Sequence, residues 1–267
     1  MAGKAILYDT QRCSGCRGCQ VSCKEWNENE ATETVFTGSY DNPKELSPQT
    51  WIKMRYTEVE RSGKLSWLFT RRSCFHCTNA SCAIVCPTGA ILRTEEGFVH
   101  IDQKWCIGCG YCVQACPFNI PHKDEEDGKA KKCQACTTVG LNRLAEGLEP
   151  ACVKSCPPDA LTYGERDELV AEGQKRVAAL KAKGYTNAYL YGENELGGLH
   201  VMYVLDDKPS VYGLPEKPQV ATANQLYKWL AGLVTSGVII ALPFWLLFKR
   251  KERIETEQKS EAEGGVK

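Results

Sequence analysis

The sequence lacks net charge, contains few histidines and does not begin with a long apolar segment. Its 33 lysines and arginines balance its 33 aspartates and glutamates, whereas a nucleic-acid-binding protein normally carries a basic excess on one face. We therefore expect no nucleic-acid partner. The four histidines are scattered and form no acid–base pair, so we expect no catalytic residues in this chain.

The start of the chain contains only a short apolar run, residues 5–8. No basic segment followed by a long apolar core is present, so we expect the chain to carry no export signal of its own. The run instead predicts the first strand of a small sheet.

Cysteine is the residue type in excess. The chain has 16 cysteines, and they occur in four groups of four. The groups are Cys13, Cys16, Cys19 and Cys23; Cys74, Cys77, Cys82 and Cys86; Cys106, Cys109, Cys112 and Cys116; and Cys133, Cys136, Cys152 and Cys156. Disulfides would not require such bunching, whereas metal–sulfur ligation does, so the count indicates bound cofactors rather than bridges.

The third group has the most specific spacing. Residues 106–117 have the sequence Cys-Ile-Gly-Cys-Gly-Tyr-Cys-Val-Gln-Ala-Cys-Pro, with two, two and three residues between successive cysteines. This is the ligand spacing of ferredoxin 4Fe-4S clusters. Gly108 and Gly110 allow the backbone to bend tightly, and Pro117 ends the turn after the fourth cysteine.

The other groups are variations on this spacing. The first keeps it but has Lys24 in place of the proline, the second has a middle gap longer by two residues, and the fourth has 15 residues between its second and third cysteines. The long gap is acceptable because loop-closure entropy grows slowly with loop length. Structural zinc is the alternative, but zinc sites usually take two ligands from each of two separate knuckles. We predict four 4Fe-4S clusters, with a zinc-stapled, membrane-anchored scaffold as the remote alternative.

The fourth cysteine of each group predicts which thiols share a cluster, because in two-cluster ferredoxins it ligates the other cluster. If the adjacent groups two and three form one unit, groups one and four must close on each other. The predicted ligand sets are then Cys13, Cys16, Cys19 and Cys156; Cys133, Cys136, Cys152 and Cys23; Cys74, Cys77, Cys82 and Cys116; and Cys106, Cys109, Cys112 and Cys86. Pairing of group one with two and of group three with four is the alternative.

The rest of the chain predicts an α+β fold. The insertion 24–73 contains a polar loop and two strand-like runs that indicate a hairpin, and a second hairpin, 90–101, leads into group three. Beyond group four, the pattern predicts a helix over 165–183 and strands over 188–191 and 200–205. We expect two nested ferredoxin-like modules over 1–205, a linker over 206–223, a single C-terminal transmembrane helix over 224–248 and a charged tail over 249–267.

The transmembrane prediction depends on residues 229–248, which contain no charged side chain and give about 30 Å of helix, the thickness of a bilayer core. A buried core helix is the alternative. The basic residues Lys249, Arg250, Lys251 and Arg253 follow, and the positive-inside rule keeps such an end in the cytoplasm. We therefore expect a single-pass protein of the bacterial inner membrane, with a periplasmic cluster domain and a cytoplasmic C-terminus. Because cluster assembly needs reduced thiols, the folded domain would be exported with a partner that bears a twin-arginine signal.

Several segments together resemble the iron-sulfur beta subunit of membrane-bound formate dehydrogenase, over nearly the whole chain. They are residues 106–121, Glu-Pro-Ala-Cys-Val-Lys-Ser-Cys-Pro at 149–157, Gly-Gly-Leu-His-Val-Met-Tyr-Val-Leu at 197–205, and the C-terminal span. The cysteine pattern is shared by beta subunits that serve many molybdenum enzymes, so the span and the Gly-Gly-Leu-His segment favour the formate type. Nitrate reductase beta subunits have a tryptophan at one ligand position, whereas Cys106, Cys109 and Cys112 are all present here.

This resemblance implies an electron relay. Formate would be oxidised on a separate molybdenum or tungsten catalytic alpha subunit, and electrons would pass through four 4Fe-4S clusters to a membrane cytochrome b gamma subunit and quinone. It also implies the pairing of group one with four and of group two with three. The same relay role for a hydrogenase or a sulfur-compound reductase is the alternative.

Two further sets of residues lie beside the cysteines in the sequence. Lys129, Lys131 and Lys132 precede Cys133, and such a run is typical of a solvated loop, although it could also raise a cluster potential. Aromatic residues next to the groups are expected to screen the clusters from water. They are Phe75, Trp105, Tyr111 and Phe118.

Overall fold

The computed structural model describes residues 3–61, 63–138, 141–223 and 225–264. Parts of four predicted features lie outside the described residues: position 62 in the first hairpin, 139–140 in the loop of group four, 224 at the start of the span and 265–267 in the tail. The chain forms two compact units, Met1–Ala221 and Thr222–Lys267. All 16 cysteines belong to the first unit.

The elements are numbered here in chain order. The strands are β1 (Lys4–Asp9), β2 (Lys53–Arg61), β3 (Lys64–Arg72), β4 (Ile91–Arg93), β5 (Val99–Ile101), β6 (His122–Lys123), β7 (Ala130–Lys131), β8 (Thr137–Thr138), β9 (Leu141–Asn142), β10 (Leu161–Glu165), β11 (Tyr189–Tyr191) and β12 (Val201–Leu205). The α-helices are α1 (Gly18–Trp26), α2 (Ser81–Ile84), α3 (Tyr111–Ala115), α4 (Ala151–Lys154), α5 (Arg166–Ala182) and α6 (Gln225–Gly264).

One four-stranded sheet supports the cysteine-bearing core. Its strand order is β10, β1, β12 and β11; β1 pairs antiparallel with β10 and parallel with β12. Because side chains alternate along a strand, Ala5 and Leu7 of β1 pack with α5, whereas Ile6 and Tyr8 enter the core that contains the cysteines. The sheet therefore separates α5 from the predicted cluster sites, and it confirms the strands predicted at 5–8 and 200–205.

Helix α5, which the sequence predicts over 165–183, covers the outer face of this sheet. Leu169, Val177 and Leu180 are buried there. The helix can approach the sheet closely because Gly173 has no side chain: a Cβ at this position would lie 2.7 Å from Leu190 Cδ1. A larger residue at 173 would push the helix away from β11.

Hairpins link the cysteine groups. The insertion between groups one and two is the β2–β3 hairpin, paired from Lys53 opposite Arg72 to Arg61 opposite Lys64. The β4–β5 hairpin connects groups two and three. The sequence predicts both hairpins, whereas β6–β7 and β8–β9 are ladders of two residues per strand, too short to be predicted from residue patterns.

The short helices of the cysteine groups pack in two pairs. Helix α1 of group one contacts α4 of group four, and α2 of group two contacts α3 of group three. Groups two and three therefore form an inner pair, and groups one and four form an outer pair. This is the nested arrangement of two ferredoxin-like modules that the sequence predicts.

The segment predicted as a linker, 206–223, is largely packed against the first unit. Asp206, Tyr212 and Leu214 are buried, and the Ala221 N–H donates a hydrogen bond to Ser81 Oγ at 3.1 Å. The prolines of this segment favour extended backbone, but they do not indicate whether that backbone is free or packed.

The second unit consists of helix α6, which has 40 residues. Residues Tyr227–Gln258 are long and apolar enough to cross a membrane. The helix continues past the predicted end at 248 and through the basic residues that follow. A helix of this length spans about 60 Å, so its C-terminal turns extend beyond the thickness of a bilayer core.

Candidate functional site

Each cysteine group begins with the same tight turn. The second residue after the first cysteine has a positive φ in all four groups: Gly15 at 67°, His76 at 46°, Gly108 at 69° and Ala135 at 53°. In three groups the N–H of this residue donates to the Sγ of the first cysteine, at 3.4 Å from Gly15 and His76 and at 3.5 Å from Ala135. The turn thus supplies a backbone donor to a sulfur, and such donors stabilise the thiolate that binds a metal.

Three of the groups also end with the same turn. The third residue after the last cysteine is left-handed in groups two, three and four: Gly89, Asn119 and Asp159. Its N–H donates to the carbonyl of that cysteine at 3.2 to 3.3 Å, and these are the residue types that adopt this conformation most readily. In group one, where Lys24 replaces the proline, helix α1 continues to Trp26 instead.

The thiols lie close to one another in four sets, which we name by one member each. The Cys16 set is Cys13, Cys16, Cys19 and Cys156; the Cys133 set is Cys23, Cys133, Cys136 and Cys152; the Cys77 set is Cys74, Cys77, Cys82 and Cys116; the Cys109 set is Cys86, Cys106, Cys109 and Cys112. All 16 thiols are free of disulfides.

Electrostatic interactions connect the thiols within each set, and some also reach a thiol of the next set. Burial is the main cause of the raised pKa of one thiol in each set, and negative charge on its neighbours raises the pKa further. The neighbours are Cys156 and Cys16 for Cys13; Cys133, Cys152 and Cys136 for Cys23; Cys74, Cys116 and Cys82 for Cys77; and Cys82, Cys106, Cys109 and Cys86 for Cys112. Their assignment as ligands of one cluster stays a prediction, and it is taken up under the proposed function.

Three interactions connect one set to the next. In addition to burial, charge on Cys152 raises the pKa of Cys19, and charge on Cys74 raises that of Cys133. Charge on Cys82 acts in the same way on Cys112, after burial. These interactions link the sets in one order, which we call the row: the Cys16 set, the Cys133 set, the Cys77 set and the Cys109 set.

The exposure of the thiols to solvent differs between the ends and the interior of this row. All four thiols of the Cys133 set are buried, whereas Cys16 and Cys109, in the two terminal sets, are exposed. Around Cys109 the apolar side chains of Trp105, Ile107 and Tyr111 are more than half exposed, at 59%, 67% and 57%. The row thus begins and ends at the surface of the first unit and passes through its interior.

The Cys109 set encloses space for a bound group. Its four thiols line one partly open cavity, together with Ile91, Ile101 and Ala130. Four sulfur ligands on apolar walls suit an iron-sulfur cluster, so these residues fit the predicted cofactor. Within the described ranges, no three Cys, His, Asp or Glu side chains converge on a site for a single ion. A cube takes one thiolate on each of its four irons, so its ligands stand farther apart than those of one ion.

Two buried cations lie beside the thiols. Arg71 on β3 is 1% exposed, and its Nη2 donates to Cys152 Sγ at 3.5 Å. Lys132 is also 1% exposed and donates to the carbonyls of Val99 and Cys133. The expectation of a solvated loop is therefore wrong for Lys132, and the burial of Arg71 has no signal in the sequence, since buried arginines are rare.

The aromatic residues beside the cysteines divide into two classes. Phe75 and Phe118 are 2% and 5% exposed, with ring centroids 4.4 Å apart, so they exclude water as predicted. The same expectation is wrong for Trp105 and Tyr111, which are exposed. His76 is buried and its Nδ1 accepts the Val99 N–H at 3.0 Å, which is a packing role and not a catalytic one.

Comparison with known proteins gives consistent matches. Residues 12–90 and 65–166 each match the 4Fe-4S dicluster domain, which confirms the prediction of ferredoxin-type 4Fe-4S domains. The chain is 43% identical over 240 residues to the iron-sulfur subunit of the nitrate-inducible formate dehydrogenase of Escherichia coli, covering 88% of this chain and 80% of that protein. It is 44% identical over 229 residues to the formate dehydrogenase iron-sulfur subunit of Haemophilus influenzae, covering 84% and 72%. It is also 41% identical over 175 residues to the thiosulfate reductase electron transfer subunit of Salmonella typhi, covering 64% and 82%.

Proposed function

Because the chain belongs to the formate dehydrogenase iron-sulfur subunits, we propose that it relays electrons from a molybdenum or tungsten catalytic subunit to a membrane cytochrome b and quinone. Four 4Fe-4S clusters, one in each thiol set, would carry the electrons. When bound, each cluster accepts and releases one electron at a time. The chain itself supplies the ligands, the order of the sites and the exclusion of water.

The observation that carries this proposal is the single row of thiol sets with an exposed thiol in each terminal set. A relay needs buried intermediate sites, where water cannot interfere, and accessible terminal sites, where partners can exchange electrons. The Cys133 set meets the first requirement, and Cys16 and Cys109 meet the second. The nested packing of α1 with α4 and of α2 with α3 supports the predicted ligand sets over the sequential alternative.

Exposed apolar side chains support a direction for the relay. We assign delivery of electrons to the Cys109 end of the row and receipt of electrons to the Cys16 end. The exposed Trp105, Ile107 and Tyr111 are suited to a contact with the membrane partner.

Membrane attachment through α6 follows from its length and composition. The basic residues after 248 support a cytoplasmic C-terminus and a cluster domain outside the cytoplasm, in a bacterial inner membrane. With one such helix among the described residues, the protein would cross the bilayer once.

The proposed function is tested on the complex purified with its catalytic subunit in the absence of air. Formate should bleach the cluster absorbance and produce the signals of reduced clusters in electron paramagnetic resonance (EPR), and dihydrogen should not. If dithionite reduces the clusters but formate does not, the assignment of formate as electron donor is wrong.

A second candidate is the relay of a thiosulfate reductase, which the identity to the Salmonella typhi subunit favours. In that case electrons would flow from the quinone side to the catalytic subunit. Thiosulfate added to the reduced complex would reoxidise the clusters, whereas the formate relay predicts no reoxidation by thiosulfate.

A further inference from the structure

Arg71 is a cation buried where two thiol sets meet. Its side chain lies on the inserted hairpin, is 1% exposed, and donates through Nη2 to Cys152 Sγ at 3.5 Å and through Nη1 to Ser73 Oγ. No carboxylate of the described residues forms an ion pair with it. Its Nε is buried and has no hydrogen-bond partner in the part of the chain that the structure describes.

Such a group is costly without negative charge nearby. A buried ion without an opposite charge destabilises the folded state, and a buried N–H without an acceptor adds to this cost. A thiolate at Cys152 would supply the negative charge, since Cys152 Sγ accepts a hydrogen bond from Arg71 Nη2 at 3.5 Å.

The interaction acts on both sides of the junction. Across the hairpin Arg71 pairs with Met54, and Met54 Sδ lies 3.8 Å from Cys19 Sγ of the Cys16 set. Arg71 itself donates to Cys152 of the Cys133 set, and helix α4, which carries Cys152, packs on helix α1, which carries Cys19. One guanidinium therefore serves two adjoining sets.

We propose that Arg71 is the shared counter-charge of the Cys16 and Cys133 sets and raises the reduction potentials of the clusters that these two sets hold. The inference rests on the proposed function, since it requires clusters at both sets. Reduction adds one electron to an already anionic site; no bond forms or breaks, and Arg71 keeps its proton. A fixed positive charge in a low-dielectric interior stabilises the more negative state.

The need for this charge is greatest at the Cys133 set. All of its thiols are buried, and burial by itself disfavours an added negative charge. Without Arg71 the cluster of this set would therefore be harder to reduce than its neighbours, and electron transfer along the row would be unfavourable at this point. Arg71 is a positioning residue in this sense: it acts through the thiolates and touches no substrate.

The test is a redox titration of the purified complex, followed by EPR, with Arg71→Gln. This variant removes the charge and keeps an amide donor. Two of the four midpoint potentials should become more negative and two should remain unchanged. Arg71→Lys, which restores a positive charge, should return both towards the unmodified values. Arg72→Gln is the matched control: its guanidinium donates to the Phe118 carbonyl at 3.2 Å, so those two potentials should move less.

The outcomes separate this inference from the proposed function. If the unmodified complex contains no reducible clusters, the proposed function is wrong; if Arg71→Gln contains all clusters at unchanged potentials, only the role of Arg71 is refuted. If Arg71→Gln binds no iron, the test uses the midpoint potentials of the unmodified complex, and two cysteine variants identify the clusters. Cys136→Ser identifies the cluster of the Cys133 set, and Cys109→Ser identifies that of the Cys109 set. In the unmodified complex, the midpoint potential of the first cluster should be no more negative than that of the second. A clearly more negative potential for the first cluster would overturn the proposal.

Discussion

At the scale of single residues, the thiol sites depend on left-handed backbone positions as well as on cysteines. Gly15, His76, Gly108 and Ala135 occupy equivalent positions in the four groups, all with positive φ. Two of these four are not glycine, so the conformation is kept even where a side chain makes it less favourable. The turn is thus a shared requirement of the sites and not a property of glycine.

Gly108→Ala should abolish the cluster of the Cys109 set. A Cβ at 108 would lie 2.0 Å from the Gly128 carbonyl oxygen, in addition to the cost of a positive φ. Gly110→Ala is the matched control: it also has a positive φ, but nothing lies within 4 Å of its Cβ, so it should cost about 1–2 kcal/mol and keep the cluster. Iron content and EPR measure both, and equal cluster loss in the two variants would show that the contact with Gly128 is unimportant.

Cys116→Ser should damage the cluster of the Cys77 set and spare that of the Cys109 set. In the structure, burial raises the pKa of Cys116 to about 12, and charge on Cys74 and Cys82 contributes to the rise. Cys112→Ser, from the same group, should have the opposite effect. EPR of the two variants distinguishes the clusters, and loss of the Cys109-set signal in Cys116→Ser would favour the sequential pairing.

Residue spacing predicts the cysteines well because metal ligation restricts both residue type and separation. The sequence does not predict that Lys132 is buried or that Trp105 and Tyr111 are exposed, and the reason is different. Whether a lysine near a cluster is buried, or an aromatic residue exposed, depends on chain segments distant in sequence, such as β5 for Lys132. Arg71 belongs to the same class, since its partner Cys152 lies 81 residues away.

At the scale of elements, the inserted hairpin is fastened to the body at its tip and beside group one. Arg61 at the end of β2 forms two hydrogen bonds with Asp206, at 2.6 and 2.9 Å, and the side chain of Asp206 is fully buried. Tyr56 of β2 donates to the Gly15 carbonyl. The hairpin therefore packs against the turn of group one, next to the Cys16 set.

Arg61→Met should loosen this hairpin. It leaves the buried Asp206 carboxylate with only the Tyr212 and Gln11 donors, and loss of the partner of a buried charge costs about 3 kcal/mol or more. Hydrogen exchange of the β2–β3 amides should accelerate. Lys4→Met is the control, since the Lys4–Glu165 pair is exposed and contributes about 1 kcal/mol or less. Unchanged exchange in Arg61→Met would mean that the tip contact does not hold the hairpin.

Alternation of residue types predicts the β2–β3 hairpin, a Glu-Glu-Gly turn between two apolar runs predicts β4–β5, and an unbroken apolar run predicts β12. None of these patterns gives information on the segment after β12. There Tyr212 donates to Asp206 at 2.5 Å and Tyr191 donates to the Pro215 carbonyl at 2.8 Å. These contacts hold a stretch whose composition resembles a linker.

At the scale of the whole molecule, the chain joins the cysteine-rich unit to a helix that is long and apolar enough to cross a membrane. Helix α6 continues through Lys249, Arg250, Lys251 and Arg253, so these charges lie on ordered helical turns next to the apolar part. Fixed positive charge at one end of an apolar helix is the feature that determines orientation under the positive-inside rule.

Protease added to intact spheroplasts should digest the cluster domain, which the account assigns to the periplasmic side, and leave an epitope tag after residue 267 protected. In permeabilised cells both should be cleaved. A protected cluster domain together with a digested tag would reverse the proposed orientation.

The number of clusters in the unmodified protein tests the central claim most directly. A four-cluster relay requires about 16 irons and as many acid-labile sulfides per chain, with four separate one-electron midpoints in an EPR-monitored titration. Iron and sulfide analysis of the complex purified without air, corrected for the cluster content of its partner subunits, measures this. About 16 irons with four midpoints is the predicted result, and half that iron, or zinc in its place, would contradict the account.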